Sequence, residues 1–214
     1  TSLIIVLIIG PKFIEAMNSQ QGNGQPIRED GPKSHLFLKK GTPSMGGILI
    51  LSSFFLSTVL WGDVNNHFIW IVLLAGFLFG LIGYVDDKKK IKEQKSDGIS
   101  SKNKFLSQFL SSFVLIFLIT VFSSSELIYS ISIPFINGVF FLGIILYYCF
   151  TSFVIVGTSN AVNLTDGLDG LAIVPVMIAI ASFGIITYLA GNLVFSEYLG
   201  INFIPFSGEL SILC

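Results

Sequence analysis

The sequence predicts an all-α, polytopic membrane protein, and three observations carry that expectation. Only 12% of its 214 residues are charged, against roughly 25% in a soluble domain. Mean hydropathy is +0.81. The apolar residues also come in continuous runs rather than in alternation, which fits helices better than barrel strands. A net charge of −1 argues against a nucleic-acid binder.

A spanning helix needs about 20 mostly apolar residues. Five segments are expected to span fully: 43–61, 68–85, 105–122, 134–157 and 170–190. Residues 1–17 read as the tail of an earlier helix and 208–214 as the start of a later one. The chain opens without Met inside SLIIVLIIG and stops at GELSILC, so it is expected to be a fragment cut at both ends. Gly76 and Gly80, in GFLFG, form a small-xxx-small pair suited to close helix packing; ordinary membrane-helix glycine is the alternative. Cys149 and Cys214 form no metal or disulfide pattern.

Charge sets the expected orientation. All twelve Lys and Arg fall within Lys12–Lys40 or Lys88–Lys104, whereas the intervening turns carry Asp63, Glu126 and Glu197. Alternating sides then places loops 18–42, 86–104 and 158–169 on one face, cytoplasmic by the positive-inside rule. Chemistry is expected where these three polar loops converge.

In the first loop, IREDGPKSHLFLKKGTPSMGG, Gly31-Pro32 and Gly41-Thr42-Pro43 are turn formers. Thr42 can cap a helix that begins with Pro43. A helix N-terminus beside Lys39 and Lys40 suits a phosphate; simple anchoring at anionic headgroups is the alternative. His35 by itself carries little.

In the second loop, Asp86 and Asp87 are expected to end an apolar helix, with Lys88 to Lys90 following at once. Adjacent helical side chains point about 100° apart, so at most one faces a given neighbour squarely. Acids also sit badly at a helix C-terminus, where the macrodipole is already negative. That cost would be offset by a proton or by Mg²⁺, which is held by few carboxylates plus substrate phosphates. Lys102 and Lys104 open the next helix.

The third loop, SNAVNLTDGLDGLA, packs Asn160, Asn163, Thr165, Asp166 and Asp169 between apolar runs, with Gly167 and Gly170 as breaks. Helical backbone would put Asn163 and Asp166 on one face; the glycines favour a broken backbone, tolerated only where it lines protein or a polar cavity. Such carboxamides and carboxylates suit the hydroxyl and base edges of a sugar nucleotide.

These motifs together resemble the phospho-N-acetylmuramoyl-pentapeptide-transferase family, within the polyprenyl-phosphate N-acetylhexosamine-1-phosphate transferase superfamily. IREDGPKSH, KKGTPSMGG, GYVDD, SKNKF and NAVNLTDGLDGLA occur in the family's order and spacing across essentially all of the chain. The resemblance implies a ten-helix bacterial inner-membrane protein, a homodimer at full length, with a catalytic cleft facing the cytoplasm. It implies transfer of phospho-MurNAc-pentapeptide from UDP-MurNAc-pentapeptide to undecaprenyl phosphate, a membrane lipid, giving lipid I and UMP with Mg²⁺ as cofactor.

The resemblance assigns Asp86 and Asp87 to the essential acidic pair, one of which deprotonates the lipid phosphate or forms a phospho-enzyme. Either is a possible contributor to the metal. It puts Lys102 near the pyrophosphate, and Asp166 with Asn160, Asn163 and Asp169 in the polar loop of the cleft. Gly167, Leu168 and Asp169 are expected at the uridine pocket, and Lys39 or Lys40, with Thr42, on the nucleoside side. The family's chief Mg²⁺ ligand, an Asp in a Met-Gly-Asp segment, and its histidine-rich motif do not occur in the chain, so 1–214 alone is expected to be inactive. A GlcNAc-1-phosphate transferase is the alternative within the superfamily. A transporter is a remote alternative, since transporters hold their acids near the midplane.

Overall fold

In the computed structural model, residues 1–21, 43–94, 98–123, 128–133, 138–166 and 170–214 are described. Seven α-helices are found among them: α1 (Ser2–Gln21), α2 (Gly47–Trp61), α3 (His67–Glu93), α4 (Ser101–Phe122), α5 (Ile144–Thr165), α6 (Ile173–Ala190) and α7 (Leu193–Leu199). A two-stranded hairpin and a 3-10 helix, Ser207–Leu213, complete the described elements. Five helices are long and apolar enough to cross a membrane: α1, α3, α4, α5 and α6. Most of the side chains in their apolar stretches are not buried among the described residues, as at Ile145 (82% exposed). A helix that is hydrophobic all round suits a lipid surrounding.

The chain divides into two compact units. Unit 1 comprises Thr1–Leu60 and Gly76–Ser107. Here the GFLFG pair proves to be a packing device. A Cβ at Gly76 would stand 3.2 Å from Phe55 Cε1, and one at Gly80 would collide with Leu51 Cδ1. Leu51 and Phe55 are themselves one turn apart, so two side chains of α2 seat over two gaps of α3. Ser2 Oγ and Ser53 Oγ, 2.9 Å apart, tie α1 to α2.

Helix α2 departs from expectation at its start. It begins at Gly47, not at Pro43. The Gln21 carboxamide pairs with the Ser44 backbone, accepting from its N–H at 2.9 Å and donating to its carbonyl at 3.2 Å. Met45 then turns left-handed at φ 71°. Those commitments leave Pro43 to Met45 outside the helix, and the remaining 15 residues span only about 22 Å. The proposed cap, Thr42, lies outside the described residues.

Unit 2 comprises Trp61–Ala75 and Gln108–Cys214. Its α4 and α5 run antiparallel and meet along a buried stripe of Gln108, Ser112, Leu115 and Ile116 facing Ser152 and Val156. Phe109 packs edge-on against Phe153 at 5.4 Å, and Tyr148 reaches Thr120 Oγ1 at 3.1 Å. The turn leading into α3 is held by Asn66, whose side-chain oxygen caps Phe68 N–H at 2.9 Å. Its amide donates to Phe206 O at 2.8 Å. Trp70 Nε1 donates to Val64 O across the same turn, at 2.8 Å.

Two expected spans are corrected. Residues 134–157 are not one helix. β1 (Ser130–Ser132) pairs antiparallel with β2 (Val139–Phe141), Ser130 opposite Phe141, and α5 starts only at Ile144. Gly138 (φ 123°) and Gly143 (φ 74°) adopt conformations that would interrupt a helix there. Residues 208–214 belong mostly to the 3-10 helix, which folds back on α6: Ser207 Oγ donates to Thr187 O at 3.2 Å. A Cβ on Gly191 would stand 2.6 Å from Gly208 Cα, so two glycines allow backbone to meet backbone.

Candidate active site

The acidic pair lies in unit 1. The apolar part of α3 ends at Val85, but the helix continues through eight further residues, all charged except Ile91, to Glu93. The expectation of a loop from residue 86 is therefore corrected, and with it the macrodipole cost assigned to Asp86 and Asp87, which lie two turns before the helix end. The extension is held by i,i+4 and i,i+3 pairing: Lys90 Nζ is 2.6 Å from Asp86 Oδ2 and 3.6 Å from Asp87 Oδ1. Lys90 and Lys92 complement the macrodipole of the last turn. Gln94, left-handed at φ 49°, closes it.

The chain then returns to the pair. Ile99 N–H donates to Asp86 Oδ1 at 2.7 Å, and Ser100 caps α4 by accepting Asn103 N–H at 3.4 Å. That cap starts the turn bearing Lys102 and Lys104. Lys102 is exposed there.

The two aspartates have different surroundings, as their angular offset requires. Asp86 is 6% exposed. Burial pushes its carboxyl up, but Lys90, Ile99 N–H and Lys104 together outweigh burial and hold it below the ordinary 3.8. The Asp87 side chain is 34% exposed and lines a shallow cavity of about 180 Å³ with Met45, Gly47, Ile48, Leu51, Gly80, Gly83 and Tyr84. Burial pushes Asp87 up, and the Asp86 charge adds to it; Lys90 and Lys104 offset only part. Lys88 swings back over the Tyr84 ring, 5.6 Å from its centroid.

In unit 2, α5 runs through the polar motif as far as Thr165, and Asp166 N–H still bonds to Val162 O at 3.0 Å. The part of the motif from Asn160 to Thr165 is therefore helical, and the stretch around Gly167, where the glycines favour a break, lies outside the described residues. Asn163 and Asp166 are both exposed and share a face at the helix end. Asn160 is occupied otherwise: its amide donates to Gln108 Oε1 at 2.8 Å and to Val156 O at 2.8 Å, knitting α5 to α4. Gly170, at φ 78°, turns the chain toward α6. Lys39, Lys40, Thr42, Gly167, Leu168 and Asp169 lie outside the described residues.

Three participants escaped sequence reasoning: Lys90, Gly98 and Ile99. The i,i+4 spacing of Asp86 and Lys90 was a readable signal for the first. The other two depend on the return of the chain, which no local pattern announces. Among the described residues no three His, Cys, Asp or Glu gather as a metal site. With both Asp86 oxygens engaged, the described residues do not by themselves make a site for magnesium.

Residues 39–51 match signature 1 of phospho-N-acetylmuramoyl-pentapeptide-transferase. Residues 69–206, more than half of the chain, match the model of glycosyl transferase family 4. The chain belongs to glycosyl transferase family 4, as a phosphosugar transferase of the phospho-N-acetylmuramoyl-pentapeptide-transferase type.

Proposed function

We propose that the protein transfers phospho-MurNAc-pentapeptide from UDP-MurNAc-pentapeptide to undecaprenyl phosphate, giving lipid I and UMP at the cytoplasmic face of a bacterial inner membrane. The observation that carries this reading is the unequal engagement of the acidic pair. Asp86 is locked by Lys90 and Ile99. Asp87 keeps one long contact with Lys90 and sits against an apolar cavity. A carboxylate between an apolar wall and a lysine-rich helix end suits an acceptor that is a lipid with a phosphate head.

In this reading Asp87 accepts the proton of the lipid phosphate as general base. The freed oxygen bonds to the sugar-bearing phosphorus, the bond from that phosphorus to the UMP oxygen breaks, and the electron pair leaves with UMP. Such transfers need positioning and charge neutralisation more than covalent help. Lys102 and Lys104, on the first turn of α4, supply positive charge, and the side chains of Asn163 and Asp166 are of the type that reads the hydroxyl and base edges of a donor. Magnesium, where bound, neutralises phosphate charge.

The test is UMP release by the purified full-length protein with undecaprenyl phosphate, offered UDP-MurNAc-pentapeptide or UDP-GlcNAc in parallel, with and without Mg²⁺. Mg²⁺-dependent release from the muramoyl donor is expected. Consumption of UDP-GlcNAc alone would move the protein to the GlcNAc-1-phosphate branch, and release from neither donor would sink the reading.

A further inference from the structure

We propose that Gly98 is a positioning residue for the acidic pair, its missing side chain allowing the 98–100 segment to clamp the Asp86 carboxylate. A Cβ built on Gly98 would overlap Asp86 Oδ1 and stand 2.6 Å from Asp86 Cγ. Any side chain at 98 must therefore displace either the segment or the Asp86 carboxylate, so it is the close approach rather than the backbone angle that favours glycine here.

The approach has a chemical purpose. It brings Ile99 N–H to 2.7 Å from Asp86 Oδ1, while Oδ2 takes Lys90. Both oxygens of a nearly buried carboxylate thus accept charge-assisted hydrogen bonds, the stronger kind. One of them comes from the backbone directly preceding the Ser100 cap, where Lys104 N–H bonds to Ser100 O at 3.0 Å. Asp86 therefore ties the start of α4 to the end of α3, and with it the position of Lys104, whose charge acts on both aspartates. In this clamp Asp86 acts through the placement of Lys104. An added methyl at 98 must part the segment from the Asp86 carboxylate, and a displacement near 1 Å can cost about 10²-fold in rate.

The clamp is a contact in its own right; its effect on turnover rests on the transfer reaction proposed above. Hydrogen–deuterium exchange and steady-state kinetics on the full-length protein separate the two. Gly98→Ala should speed exchange across 98–104, as should Asp86→Ala, and lower kcat by about 10²-fold with KM for both substrates nearly unchanged. Gly157→Ala, at a glycine with open space around it, should change neither. Should Gly98→Ala not fold, Ile99→Pro removes the N–H that Asp86 accepts and should show the same two effects. Wild-type exchange over 98–104 in the folded variant overturns the clamp, even if the protein transfers no phosphosugar. Faster exchange with wild-type kcat overturns the positioning role.

Discussion

Lys90 lies one helical turn beyond Asp86 and closes on its Oδ2 at 2.6 Å, with little of either side chain exposed. Removing one member of a buried pair typically costs 3–5 kcal/mol. Here Ile99 N–H remains on Asp86, so Lys90→Met should cost less, about 2 kcal/mol. In an Asp86→Asn background the same change should cost much less, because no buried charge is left unpaired. Thermal unfolding of the two singles and the double in detergent measures the coupling, and additive losses would contradict the pairing.

The two carboxylates should respond to pH in opposite directions. Asp86 is held below 3.8 in the fold, so its contribution is present above that value and lost as pH falls through its folded pKa. Asp87 is raised; its ionised form is disfavoured by the fold, a penalty present above its folded pKa and relieved as acid protonates it. At pH 7, Asp87→Asn should raise the melting temperature and Asp86→Asn should lower it. The Asp87→Asn gain should vanish near pH 3. A melting curve in which Asp87→Asn destabilises at pH 7 would reverse the assignment.

Asn160 and Asn163 stand three residues apart and should behave differently. Asn160→Ala leaves Gln108, nearly buried, without its partner, a loss on the order of 1–3 kcal/mol. It should leave KM for the nucleotide donor close to wild type. Asn163→Ala, at an exposed position, should leave the melting temperature unchanged and raise that KM. Identical profiles for the two variants would remove the distinction.

Gly80→Val should destabilise by about 1–3 kcal/mol through overpacking, since its side chain would enter the space of Leu51. Leu51→Ala should recover part of that loss in the double variant. No recovery would mean that α2 and α3 do not meet at this point.

Much of this was legible from residues alone. The apolar runs announced the helices and GYVDD announced the acidic pair, while GFLFG left close packing and ordinary membrane-helix glycine both open. What failed did so for physical reasons. Hydropathy stops at Val85 because lysines and acids look like loop, yet Asp86 and Lys90 at i,i+4 carry the helix to Glu93. The run 134–157 is apolar enough to span, but hydropathy is blind to the positive φ at Gly138 and Gly143. Likewise the apolarity of 208–214 could not say that Gly208 would rest on Gly191. At the site, residue type identified the pair, while its unequal engagement came from Gly98 and Ile99 returning to Asp86.

The turn that joins α2 to α3 has a practical consequence. The protein's two tryptophans, Trp61 and Trp70, flank it on either side, and Trp70 is bonded to Val64 within it. Intrinsic fluorescence is therefore a single-address reporter for that corner. A ligand docking at Asp87 should leave the emission spectrum unmoved, whereas loosening the Asn66 contact to Phe206 should shift it to the red. An optical test of the proposed nucleotide contact at Asn163 calls for a tryptophan introduced beside it.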